Sequence, residues 1–145
     1  MWFPEVSRPL AWIGAEVILQ PTLTPTSDRE LELVMVRSNA LFNQTYFISD
    51  KGIGVWGGGC SLMVDPDRRI LQEAGTNQTI LTELLDRDRV TRTREFGRIG
   101  LALTLKHLCD SGQKFPIYEE GDLAKGSLEK RGALEIQKTP NNLDG

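Results

Sequence analysis

The chain has 145 residues, room for one domain of ordinary size, and its 39% hydrophobic and 26% charged residues describe a globular protein rather than a disordered one. A formal charge of -3 is too small to announce a nucleic acid or other polyanion as partner, and 7% aromatic residues leave little for a base-stacking surface. Cys60 and Cys109 are the only cysteines and have no C-x-x-C spacing, so neither a zinc site nor a disulfide framework is expected, and no other metal or cofactor is implied.

No charged segment leads into an apolar one as in a secretory signal, and no apolar run is long enough to span a bilayer. The expected location is the cytoplasm, away from membranes. Asn43-Gln44-Thr45 and Asn77-Gln78-Thr79 match the glycosylation pattern, which in that setting is coincidence.

Pro4 suits the first turn of a helix, where its missing N–H is no loss, and Val6, Leu10 and Ile13 then share one face, with Gly14 as the stop. Pro9 lies past that turn and is expected to kink the helix. Val17-Ile18-Leu19 reads as a strand covered on both faces. After a Thr- and Pro-rich loop, Ser27 with Glu30 fits a capping box, and Leu31, Val34, Met35, Leu41 and Phe42 recur at helical spacing. Tyr46 to Ser49 is the next strand, and a parallel pair joined by a right-handed crossover is the economical topology.

Gly52, Gly54, Gly57, Gly58 and Gly59 make a glycine-rich loop. Leu62-Met63-Val64 is a strand and Asp65-Pro66-Asp67-Arg68 a turn with Pro at its second position. Ile70-Leu71 returns, and Thr79 to Leu85 reads as a further strand, so this part is antiparallel. Asp86 can cap a helix through Phe96, and Ile99 to Leu108 reads as helix after Gly97. There is no internal repeat. The fold class is α/β, a mixed sheet with helices on one face, with a domain over 1–120 and a mobile or arm-like tail over 121–145. The first helix, carrying Trp2, Val6, Leu10 and Ile13, has no earlier element to pack on, as if the chain were the second half of a larger sandwich.

Phe3-Pro4-Glu5-x-x-Arg8-x-Leu10-Ala11-x-x-Gly14-Ala15-Glu16-x-Ile18-x-x-Pro21-Thr22 resembles the nitrilase superfamily of carbon–nitrogen hydrolases, in the segment after the nucleophile. The resemblance continues through Ala40-x-x-Asn43-Gln44-x-Tyr46, through Gly58-Gly59-Cys60-Ser61-Leu62-Met63-Val64-Asp65-Pro66-Asp67, and through Ile80 to Arg94. It implies half of an α-β-β-α sandwich. The family stretch normally reads Cys-Tyr-Asp-x-x-Phe-Pro-Glu. In that register the nucleophilic Cys falls before Met1, and the chain is expected to be a C-terminal half. Arg68 stands where the family turn has Gly, at a cost of about 1 kcal/mol if φ is positive there.

The resemblance implies hydrolysis of amides or nitriles by a Glu base, a Lys and a Cys nucleophile. A thiolate attacks, a carboxylate moves its proton and an ammonium stabilises the oxyanion. None of the three maps onto a residue here, so no catalytic residue is assigned. Cys60 reads as a small hydrophobe at a strand start, Cys109 as packed on a helix, and His107 as solvated or capping. Ser61 has no histidine partner in sequence. Arg87, Arg89, Arg92, Arg94 and Arg98 scatter around a helix among acidic residues and read as a solvated, ion-paired face. The glycine-rich loop lacks a phosphate-binding pattern. Glu5 and Arg8 are spaced to pair on a helix.

The positions that line the substrate pocket in the family fall here on Met1 and Trp2 and on Thr22 and Leu23. Relatives that bind a substrate carboxylate carry Arg and Asn there, so this set implies a small uncharged amide or nitrile. The chain alone is expected to be inactive. The alternatives are a non-enzymatic assembly module, as a homo-oligomer or joined to a full-length relative, and one half of a split enzyme.

Overall fold

The computed structural model describes residues 2–23, 28–54 and 57–113. Met1, Ser27 and the tail expected over 121–145 lie outside these residues. Six elements come first: α1 (Pro4–Trp12), β1 (Val17–Thr22), α2 (Arg29–Asn43), β2 (Tyr46–Lys51) and the two-residue strands β3 (Ile53–Gly54) and β4 (Gly57–Gly58). Then follow β5 (Leu62–Val64), β6 (Ile70–Glu73), α3 (Arg87–Phe96) and α4 (Thr104–Asp110).

The sheet runs β1-β2-β5-β6, with β1 and β2 parallel and the other pairs antiparallel. The register sets Ile18 beside Phe47 and Phe47 beside Val64. These three, with Leu62, form one apolar face on which Val36 and Ala40 of α2 pack. The opposite face is not closed: in β1, Ile18 is buried but Leu19 is 67% exposed. The strand expected to be covered on both sides is therefore covered on one. The mixed sheet with helices on one face is as the sequence implies.

Helices α1 and α2 end in the same motif. In α1, Gly14 has φ +107, its N–H bonds the Ala11 carbonyl (3.1 Å) and the Ala15 N–H bonds the Leu10 carbonyl (2.9 Å). In α2, Gln44 takes the left-handed position at φ 49, and Thr45 N–H bonds the Ala40 carbonyl (3.3 Å). These paired bonds satisfy the last carbonyls. Helix α1 continues through Pro9 to Trp12. The first residue before α2 is Asp28, whose carbonyl accepts from Glu32 N–H (3.0 Å).

The faces the helices bury differ from the periodicity. In α1 the buried residues are Ser7 and Ala11, while Val6, Leu10 and Ile13 are exposed; in α2 the buried line is Arg29, Glu32, Val36, Asn39, Ala40 and Asn43, while Leu31, Val34 and Phe42 are exposed. A polar contact explains the choice. Ser7 Oγ donates to Asn39 Oδ1 (2.7 Å) and accepts from Asn43 Nδ2 (2.9 Å), which joins the helices through their small, polar sides.

Two later expectations are corrected. Residues 79–85 make no strand, and Ile80 and Leu84 are about as exposed as side chains can be, at 90% and 92%. Gln72 of the edge strand β6 reaches across to this segment, Nε2 donating to the Thr82 carbonyl and to Glu83 Oε2 (3.2 Å), but no backbone ladder forms among the described residues. Helix α4 begins at Thr104, not Ile99. A turn closed by Arg98 and Leu101 intervenes, with Ile99 and Ala102 at positive φ. Gly97 enforces it: a Cβ there would lie 2.1 Å from the Leu101 carbonyl oxygen.

Candidate functional site

The carboxyl ends of parallel strands are where α/β sheets present ligand-binding groups. Here that edge is made by the ends of β1 and β2. Thr22 pairs with Lys51, and Leu23 lies against Gly52, its Cδ1 3.1 Å from where a Cβ would stand. Thr22 and Leu23, two of the four pocket positions that the resemblance implies, thus lie at the carboxyl end of β1 beside β2. Trp2 precedes α1 and is 49% exposed, and Met1 lies outside the described residues.

Behind this edge sits a cluster that sequence reading missed. Arg29, at the start of α2, donates from Nη1 to Glu32 Oε2 (3.0 Å) and to Ser49 Oγ (3.1 Å), and from Nη2 to the Cys60 carbonyl (2.6 Å). Lys51 Nζ is 3.6 Å from the same Glu32 oxygen, with its side chain fully buried. Glu32 is 2% exposed and Arg29 7%. Two cations thus share one buried carboxylate. The only sequence trace was the i,i+3 spacing of Arg29 and Glu32. Lys51 arrives through strand pairing, which no local pattern shows.

Glu, Lys and Cys, the residue types that amide hydrolysis by thiolate requires, therefore lie near one another, with Arg29 among them. Arg29 stands between Glu32 and Cys60 and holds the backbone carbonyl of Cys60, not its sulfur. Cys60 Sγ points to the Gly58 carbonyl at 3.8 Å. Cys60 lies two residues before β5 at φ 62, and its N–H bonds the Gly75 carbonyl (2.9 Å). A general base must be within hydrogen-bond reach of the thiol, and here the Sγ contact is a carbonyl. Ser61 Oγ accepts from Lys51 N–H (2.9 Å) and lies 3.2 Å from Asp50 Oδ1, with no imidazole. The single histidine, His107, is on exposed α4, and Cys109 is exposed rather than packed. A cavity of about 230 Å³ borders Ile48, Lys51, Cys60, Ser61, Asn77 and Leu81. Among the described residues no group of His, Cys, Asp and Glu is placed to hold a metal ion.

The opposite end of the sheet is held by α3. Asp86 caps it, accepting from Asp88 N–H (3.1 Å), and the Arg92 guanidinium holds the Asp86 carboxyl below its usual range. Arg87 pairs with Glu16 and lowers its carboxyl likewise. Arg94 reaches the Ala15 carbonyl (2.6 Å) and the Gln44 carbonyl (3.2 Å), and burial lowers its basicity. Arg89 Nη1 meets Asp65 Oδ2 at 2.8 Å. The arginines divide between the two sides of α3 and are ion-paired or bound to carbonyls, with Arg98 in the loop beyond. Gln44 ties these parts together: its Nε2 donates to the Thr93 carbonyl (2.6 Å) and its Oε1 accepts from Leu105 N–H (3.3 Å).

Residues 1–95 match the family model described as carbon-nitrogen hydrolase. A Staphylococcus lugdunensis protein described as "hydrolase in agr operon" is 30% identical, over 64% of this chain and 42% of that protein. Among solved structures, Saccharomyces cerevisiae Nit3, a member of branch 10 of the nitrilase superfamily, matches with a TM-score of 0.58 and 28% identity, over 64% of this chain and 36% of Nit3. A nitrilase-superfamily amidase of Nesterenkonia AN1 matches with a TM-score of 0.51 and 26% identity, over 63% of this chain and 37% of the amidase. A carbon-nitrogen hydrolase from Helicobacter pylori G27 gives a TM-score of 0.59 over 86% of this chain and 46% of its own, at 21% identity, a likeness of fold alone. The chain spans less than half the length of each of these proteins. Among the described residues no helix is long and apolar enough to cross a membrane.

Proposed function

The chain belongs to the carbon-nitrogen hydrolase family, and on that premise we propose that it supplies a pocket wall of such an enzyme without the reacting groups, so that residues 1–145 alone do not hydrolyse amides or nitriles. The observation that carries this is the geometry at Cys60: its sulfur faces a carbonyl, while the nearby Glu32 is buried and bonded to Arg29, and Lys51 is buried with its Nζ 3.6 Å from the Glu32 carboxylate. Thr22 and Leu23, with Met1 and Trp2, are the proposed wall. Their uncharged side chains favour a small uncharged amide or nitrile over a carboxylate-bearing one.

The test is release of ammonia from simple amides and nitriles by purified 1–145. No release above blank is expected. Turnover that disappears in Cys60→Ser would overturn the reading and place a working nucleophile in this chain. In a polypeptide joining these residues to a complete Glu, Lys and Cys set, uncharged amides should be preferred over carboxylate-bearing carbamoyl compounds.

A second reading, an assembly module that pairs with itself or with a full-length relative, is favoured by the outward apolar faces of α1 and α2, where Val6, Leu10, Ile13, Leu31, Val34 and Phe42 are all exposed. Sedimentation of 1–145 should then give a defined mass above the monomer. A monomer at all concentrations would exclude self-association.

A further inference from the structure

The arginines that read as a solvated face gather, in part, around one concavity. Arg89, Arg92 and Phe96 follow one another along α3 at i, i+3 and i+7, and Asp67 and Arg69 face them from the β5–β6 turn. Arg98, in the loop after α3, closes the ring. The groove has a volume of about 550 Å³, within the size range of pockets that take small organic ligands. Four guanidiniums and one carboxylate line it.

The guanidiniums are held but not used up. Arg89 is anchored from behind by Asp65, whose side chain is fully buried, and Arg92 by Asp86 at 2.5 Å. Arg69 reaches Asp65 at 3.6 Å and Asp67 at 3.9 Å, while Asp67 also accepts from Thr93 Oγ1 (3.3 Å). Each guanidinium carries five N–H donors, so a single bound carboxylate oxygen leaves others to point outward. Arg98 has no carboxylate partner among the described residues. Counting Asp65 and Asp86 as well, the groove still holds one cation in excess, in a chain whose formal charge is -3.

We propose that this groove binds a small organic phosphate with an aromatic ring, the phosphate among Arg69, Arg92 and Arg98 and the ring on Phe96. Guanidiniums arriving from a turn, a helix and a loop surround a tetrahedral anion with several acceptor oxygens. A planar carboxylate needs only one such fork. Phe96 is 66% exposed and lies one helical turn from Arg92, which gives a ring an apolar face beside the charge. A site of this size on an acidic chain suits one small molecule rather than a nucleic acid. The site lies at the opposite end of the sheet from Thr22 and Leu23 and does not depend on any hydrolytic activity.

The test is isothermal titration of the full chain with inorganic pyrophosphate, adenosine 5′-diphosphate and adenosine. Pyrophosphate and the diphosphate are expected to bind and adenosine alone not to. The diphosphate should be the tighter, and both should weaken as salt rises. The double variant Arg92→Gln/Arg98→Gln should lower affinity for both about a hundredfold, about tenfold for each guanidinium removed. Phe96→Ala should weaken only the diphosphate. Equal affinity for pyrophosphate and the diphosphate would overturn the role of Phe96. Absence of binding at millimolar ligand, or binding unchanged in a double variant that melts like the parent, would overturn the site. Should the double variant fail to fold, displacement of the diphosphate by pyrophosphate on the parent chain decides: no displacement overturns the proposal.

Discussion

Two clusters in this molecule gather cations around one buried carboxylate, and they differ in where those cations lead. At the carboxyl end of β2, Glu32 holds Arg29 and Lys51, and all three are buried. At the β5–β6 turn, Asp65 holds Arg89 and Arg69, whose side chains are 30% and 67% exposed. Charges taken out of water and paired with each other fix the elements that carry them. Charges anchored at one end and open at the other remain available to a ligand. The buried cluster, which sets a Glu and a Lys beside a Cys, is thus withdrawn from water where the second cluster is open to it.

The comparison predicts an order of effects. Glu32→Gln leaves two cations buried without an anion and should cost about 3–5 kcal/mol, read from urea unfolding of the chain. Asp65→Asn should cost about 1–3 kcal/mol, because its arginines can turn to water. Equal losses at the two sites would erase the distinction between them. Next to the second cluster, Arg68 has φ 65, the conformation that the resemblance to a Gly-bearing turn implied. Arg68→Gly should therefore stabilise by about 1 kcal/mol, seen as a raised melting temperature.

The smallest effects are those of pH. Burial pushes the Tyr46 phenol up, and its hydroxyl donates to the Asp86 carbonyl (3.0 Å). With the folded value above the unfolded one, stability is whole below the ordinary phenol range and falls as pH rises through it and beyond. In Tyr46→Phe that alkaline slope should vanish. Asp86, lowered by Arg92, works the other way. Its contribution is present above the ordinary carboxyl range and is lost as pH falls toward the folded value. Arg92→Gln should flatten the acid limb of the melting curve.

Much of the order of elements was legible because it is local. Pro4 opens α1, Gly14 closes it, Asp86 caps α3 and the Asp65 to Arg68 turn reverses the chain, each through bonds within a few residues. What failed depended on partners far along the chain. The helical period placed α1 and α2 correctly but put their apolar stripes inward. The Ser7, Asn39 and Asn43 contact, which spans more than 30 residues, chose the other side. Thr79 to Leu85 has the composition of a strand, but among the described residues it meets the edge of β6 through the Gln72 side chain rather than through a backbone ladder. The edge at Thr22 and Leu23 came from the resemblance. Lys51 and Glu32 are both ordinary charged residues in sequence and become a buried pair only when β2 runs beneath α2.

Gln44 is held twice over, by a left-handed backbone that glycine would adopt more readily and by side-chain bonds that glycine could not make. The position therefore resists substitution from two directions, and a replacement that relieves one constraint forfeits the other. Its two amide bonds also join the β1–α2–β2 unit to α3 and α4, so those helices should open together rather than fray separately. In hydrogen–deuterium exchange, the amides of α3 and α4 should share one opening rate in the parent chain. In Gln44→Ala they should exchange earlier than those of β2.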